Sequence, residues 1–105
     1  MAGSQRREPT AADLAGFKGL GIAVHQLRQE KGLTPAQLAE GAGLSGSTIN
    51  AIERGKQNTT WSNLRRLAGG LGVDLEKLLD LGIDLAPGPG GDELRWDRSH
   101  AAQSE

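Results

Sequence analysis

The chain of 105 residues contains no cysteine. That excludes disulfides, thiolate nucleophiles and cysteine-based zinc sites, and it fits a reducing compartment. Aromatic residues are scarce as well, with Phe17, Trp61 and Trp96 alone, so a core must be built from Leu, Ile, Val and Ala. No apolar run approaches the ~20 residues needed to span a bilayer, and the opening MAGSQRREPT lacks the apolar segment of a secretory signal. A cytoplasmic protein with no membrane contact is the expectation. The only histidines, His25 and His100, form no spaced cluster for a metal or a catalytic triad, and His25 reads as a solvated helix residue. The glycines of GFKGLG follow no strand and precede no Gly-Lys-Ser/Thr sequence, so they form no phosphate loop. The residues therefore predict no enzyme, no metal and no cofactor.

The chain has room for one small domain and a tail. We read residues 1–16 as a flexible N-terminal arm, 17–82 as the folded domain and 83–105 as a flexible acidic tail. The formal net charge of −1 conceals a strong asymmetry. Residues 18–72 carry seven basic and three acidic groups, whereas residues 73–105 carry three basic and eight acidic. The basic part is where a nucleic-acid contact would lie.

Within that part, the stretch LTPAQLAEGAGLSGSTINAIERG, Leu33 to Gly55, reads as two short helices joined by a tight turn. Thr34 is a suitable N-cap, and Pro35 fills the first helical position, where its missing N–H does no harm. Leu38 and Ala39 lie on the inner face, and a side chain as small as Ala39 lets a second helix cross close above it. Gly43 falls where the chain must turn through a left-handed conformation. Leu44 plugs the corner and Ser45 caps the next helix. Ile49 and Ile52, three apart, point back to Leu38 and Ala39, and Gly55 closes the helix after Arg54. This is the arrangement of a helix-turn-helix, with the polar face of its second helix free to meet DNA. Gln37, on the exposed first turn, lies near enough to touch a phosphate.

The flanks are helical too. Pro9-Thr10 with Asp13 resembles a helix start, but glycines at 16, 19 and 21 argue for a weak helix there, with regular apolar spacing by Phe17, Leu20, Val24 and Leu27 up to Gly32. Arg6 and Arg7 read as a solvated arm within reach of a phosphate backbone. Thr60 caps a helix whose Trp61, Leu64, Leu67, Ala68 and Leu71 share one face, with Arg65 and Arg66 outside it. Asp74 starts a fifth helix with Leu75, Leu78 and Leu79 turned inward, stopping near Gly82. APGPGG then breaks regular structure, and DELRWDRSHAAQSE is too polar to hold a core, with Trp96 its one large apolar side chain.

Residues 20–79 closely resemble the phage lambda-repressor/Cro-like (Xre-type) helix-turn-helix family, through LR-x-x-KGLT, QLAE-x-AGLS, STI-x-x-IERGK and LA-x-x-LGV. The resemblance implies an all-α, compact five-helix DNA-binding domain. Its third helix, 45–54, would enter the major groove of double-stranded DNA, usually in a homodimer that reads two half-sites. Base-reading positions fall on Gly46, Ser47 and Ala51. Ser47 is placed to hydrogen-bond a base edge and the Ala51 methyl to meet a thymine methyl, with Asn50 projecting from the same exposed face. Arg54 and Lys56 match positions where family members grip phosphate, and Gln57 and Asn58 share their reach. Arg28 and Glu53 match an ion pair between the first and third helices, with a structural role.

The sequence departs from the family at one pair of positions. Some members place mutually supporting glutamines at the starts of the second and third helices, where this chain has Pro35 and Gly46. The implied reading face is thus made of small groups, which favours close backbone approach or help from DNA shape. The implied function is a transcriptional regulator, most simply a repressor. The alternative is an antitoxin or protein-interaction module on the same fold, with the acidic tail contacting a protein partner. Leu81, Ile83 and Leu85 are the choice for a dimer surface.

Overall fold

Residues 8–56 and 58–94 are described by the computed structural model, and they form helices with no strand among them. The order is α1 (Ala11–Glu30), α2 (Pro35–Ala42), α3 (Gly46–Glu53), α4 (Trp61–Leu71), α5 (Leu75–Leu85) and α6 (Gly88–Asp92). The core is aliphatic: Val24 and Leu27 from α1, Leu38 and Ala39 from α2, Ile49 and Ile52 from α3, Leu67 and Leu71 from α4 and Leu78 from α5 are all buried. α1 runs along α5 and α6 and crosses α3, while α2 packs on α3 and α4.

The helix at the N-terminal end starts earlier than residue 17. Thr10 caps it through a reciprocal pair, its Oγ1 accepting from the Asp13 N–H at 3.0 Å while Asp13 Oδ2 accepts from the Thr10 N–H at 2.9 Å. The glycines that argued for a weak helix are contact positions instead. A Cβ on Gly19 would collide with the Gly82 carbonyl oxygen and with the Ala86 backbone, and one on Gly21 with the carbonyl oxygens of Ile52 and Glu53. Tertiary contact at these points outweighs the propensity cost of glycine, about 1 kcal/mol each.

Helical structure also continues past residue 82. α5 reaches Leu85, and the Gly-Pro-rich segment forms the short α6 against α1. Its Gly90 and Gly91 are buried, and Cβ atoms there would meet the carbonyls of Ala11 and Ala86. Among the described residues the short α6 thus follows the five helices implied by resemblance. Leu81 and Leu85 are partly buried against the core, and Ile83, also partly buried, lines an apolar pocket with Phe17 and Leu20.

Trp61 departs from its expected place on the inner face of α4: it is 63% exposed. Helical side chains tilt toward the N-terminus. A residue at the first helical position, directly after the Thr60 cap, therefore projects past the end of the core that Leu67, Ala68 and Leu71 fill.

Candidate nucleic-acid interface

The α2–α3 unit is held by local signals that follow one another along the chain. Thr34 Oγ1 accepts from the Gln37 N–H at 3.1 Å, and Gln37 Oε1 accepts from the Thr34 N–H at 2.8 Å. The carbonyl of the Gln37 side chain is therefore engaged in the cap, which leaves its NH2 group for an outside acceptor. Gly43 ends α2 with φ 70°, and the Leu44 N–H returns to the Ala39 carbonyl at 2.9 Å. Leu44 sinks half-buried against the core beside this turn. Ser45 then caps α3, accepting from the Thr48 N–H at 3.1 Å, and its hydroxyl meets those of Thr48 at 2.8 Å and Ser47 at 3.2 Å. Gly55 has φ 70° and lies so close to Lys18 that a Cβ would come within 2.9 Å of the Lys18 Cα. Two separate demands thus select glycine at this position.

The two sides of α3 differ sharply. Ile49 and Ile52 are at most 1% exposed, so the helix cannot rotate without tearing them from the core. Gly46, Ser47 and Asn50 are exposed on the other side, with Ala51 half-buried at its border. Open space surrounds the Cβ position of Gly46. Arg54, Lys56 and Asn58 follow as exposed residues at and beyond the C-terminal end of α3, and Gln37 is exposed at the start of α2. Lys56 and Asn58 border a shallow surface pocket together with Glu8, Thr10 and Asp13, which places the start of α1 beside this loop. Gln57, Arg6, Arg7, Trp96 and His100 lie outside the described residues.

Beneath the C-terminal end of α3, Arg28 and Glu53 form a two-pronged ion pair. Arg28 Nε donates to Glu53 Oε2 at 2.7 Å and an Arg28 terminal nitrogen donates to Glu53 Oε1 at 3.0 Å, while the other terminal nitrogen donates to the Leu33 carbonyl at 2.9 Å. One guanidinium thereby joins α1, the α1–α2 connection and the last residue of α3. Burial pushes the Glu53 carboxyl up, but the hydrogen bonds from Arg28 and His25 and their charges outweigh it, so its pKa lies below the ordinary carboxylate value. The hydrogen bond from Arg28 to Glu53 raises the guanidinium pKa in turn.

His25 belongs to this junction, a place that its sequence reading as a solvated residue missed. Its Nδ1 lies 3.1 Å from Glu53 Oε1 and 3.0 Å from an Arg28 terminal nitrogen, and its side chain is about half exposed. The available signal was its spacing: three residues before Arg28, it shares that residue's helix face. Among the described residues no group of three His, Asp or Glu side chains is arranged to hold a metal ion. No helix among them is long and apolar enough to cross a membrane.

Comparison with known proteins places this geometry in a family. Residues 20–81 match the family model described as a helix-turn-helix domain. Over 60 residues the chain is 38% identical to the immunity repressor protein of Bacillus phage phi105, a match spanning 57% of this chain but only 42% of the repressor. It is 37% identical over 62 residues to an uncharacterised HTH-type transcriptional regulator of Sinorhizobium fredii, covering 59% of this chain and 80% of the relative. The structure is also similar to that of the controller protein C.Esp1396I bound to a 19-base-pair DNA duplex, with a TM-score of 0.63 at 26% identity, over 70% of this chain and 97% of that one. With its α2–α3 unit inside the matched segment, the chain belongs to the helix-turn-helix domain family, and within it to the lambda-repressor/Cro-like type.

Proposed function

We propose that this chain is a sequence-specific double-stranded DNA-binding transcriptional regulator, a repressor, that inserts α3 into the major groove and works in the cytoplasm. The observation that carries the reading is the two-sidedness of α3: Ile49 and Ile52 anchor one side while Gly46, Ser47 and Asn50 present the other to solvent. The likeness to a controller protein bound to a DNA duplex supports DNA as the ligand. In this reading Ser47 and Asn50 hydrogen-bond base edges, the Ala51 methyl meets a thymine methyl, and Gly46 lets the start of α3 approach the bases closely. Gln37, Arg54, Lys56, Gln57 and Asn58 hold phosphates on either side. Arg28 and Glu53 fix the end of α3 from below. Two copies bind as a homodimer, one half-site each.

Selection from random duplexes at low salt tests the reading directly. An enriched two-fold motif is expected, and a pool without enrichment overturns it. In gel shifts against salt, Arg54→Ala should weaken every sequence and lower the salt slope by about 1, whereas Asn50→Ala should cost about 1–3 kcal/mol at one base position only. A second reading, a protein-interaction module, draws on the excess of acidic residues in 73–105 and on exposed Glu76 and Asp80 of α5. A folded protein that enriches no duplex would favour it.

A further inference from the structure

Three hydroxyls meet at the start of α3. Ser45 Oγ lies 2.8 Å from Thr48 Oγ1 and 3.2 Å from Ser47 Oγ, and it accepts from the Thr48 N–H at 3.1 Å. Among the described residues Ser45 is the one partner of both the Ser47 and the Thr48 hydroxyl. A hydroxyl has one hydrogen to give and two lone pairs to accept with. The Thr48 N–H takes one lone pair of Ser45, which leaves one lone pair and one hydrogen for two neighbouring hydroxyls. Ser47 and Thr48 therefore take opposite roles: when one donates to Ser45, the other accepts from it.

Burial separates the two directions. Ser47 is exposed, whereas Thr48 is half-buried. If the hydrogens run from Ser47 through Ser45 to Thr48, the last hydrogen is left on the half-buried Thr48 with no acceptor among the described residues. In the opposite run Thr48 donates to Ser45, Ser45 donates to Ser47, and the last hydrogen is left on the exposed Ser47. The second run wins, because a hydroxyl hydrogen without an acceptor costs more where less water can reach it. That same hydrogen must find an acceptor once a ligand displaces the water around Ser47.

We propose that Ser45 and Thr48 are positioning residues that make Ser47 a hydrogen-bond donor toward DNA, so that the base group it reads is a major-groove acceptor. The candidates are N7 and O6 of guanine, N7 of adenine and O4 of thymine, whereas the amino groups of adenine and cytosine are donors. The proposal rests on the reading of α3 as the major-groove helix. To that reading it adds the polarity of one contact, set by two side chains that need not touch a base.

The test begins with the random-duplex selection, repeated with Ser47→Ala to locate the base pair whose preference is flattened. Gel shifts with the full-length chain then use duplexes in which analogues delete one major-groove group of that pair at a time: N7, the O6 or O4 oxygen, or the amino group. Deleting one acceptor should weaken wild-type binding several-fold and leave Ser47→Ala unchanged, while deleting the amino group should affect both chains alike. Thr48→Val keeps the branched shape and removes the hydroxyl, so Ser47 is free to turn its hydrogen to Ser45. The penalty for the missing acceptor should then shrink, and Thr48→Ser should restore it. A merely structural role for Thr48 would change Tm and the affinity for every duplex, but not this penalty. A wild-type loss that follows the amino group overturns the proposal, as does an unchanged penalty in Thr48→Val or a Ser47→Ala motif identical to that of wild type. A pool that enriches no motif overturns the major-groove reading together with the proposal, whereas an enriched motif that fails the analogue tests overturns the proposal alone.

Discussion

The α2–α3 unit and the α1–α5–α6 flank are assembled by different means. α2 and α3 meet through interlocking side chains, Leu38 and Ala39 against Ile49 and Ile52, and their ends are set by Thr34, Gly43, Ser45 and Gly55. The flank meets backbone to backbone, with Gly19 against Gly82 and Ala86, Gly90 against Ala11 and Gly91 against Ala86. The difference teaches that glycine plays opposite parts on the two sides. In the α2–α3 unit it supplies left-handed turns that end helices, and in the flank it removes side chains so that continuous helices can touch.

The largest expected effect lies on the interlocked side. Ile49→Ala removes a fully buried side chain and should cost about 2–5 kcal/mol, read as a lower midpoint in urea. Loss within 0.5 kcal/mol of wild type would mean that α3 is not anchored as described. Glu53→Gln comes next. Removing the charge leaves Arg28 uncompensated in a mostly buried place, at a cost toward the low end of the roughly 3–5 kcal/mol seen when such pairs are broken. Because the folded pKa of Glu53 lies below the ordinary value of 4.5, its contribution is fully present above that value and is lost as pH falls through the depressed one. The gap between wild-type and Glu53→Gln melting temperatures should therefore be constant near neutrality and close in acid. A gap that widens in acid contradicts the assignment.

Two glycine substitutions probe the flank and its contrast. Gly19→Ala gains up to about 1 kcal/mol of helix propensity but drives a methyl group into the Gly82 carbonyl. Overpacking against backbone costs roughly 1–3 kcal/mol, so net destabilisation is expected in thermal melts. The same change at Gly69 of α4, which is exposed and has no atom near its Cβ position, should stabilise by about 1 kcal/mol or less. That corresponds to a rise of several degrees at most in a domain of this size. Equal signs at the two positions would erase the distinction between contact glycines and incidental ones.

Legibility in the sequence follows the same division. Thr34, Gly43 and Ser45, and Gly55 in its role of ending α3, act on groups within five residues of themselves, so residue type and spacing are enough to locate the turn and both helices. The sides of α3 were legible for the same reason, since Ile49 and Ile52 are separated by one helical turn. Trp61 misled because a periodic pattern says which face a residue occupies but not whether the core extends that far. α6 was hidden behind Pro and Gly, whose local preferences oppose a helix until α1 offers a surface that only glycine can approach. His25 looked solvated because the carboxylate it meets lies 28 residues away.

By itself, then, the sequence determined the helix-turn-helix, its caps and turn, and the division of α3 into an apolar side and a side of small and polar groups. These depend on backbone preferences and hydrogen bonds between near neighbours. Only the tertiary structure decided that Gly19 and Gly21 are crossing points, that His25 joins Arg28 and Glu53, and that the Phe17, Leu64 and Ile83 side chains line one apolar pocket. Each of those outcomes depends on distances between residues far apart in the chain, which exist only once the helices have packed.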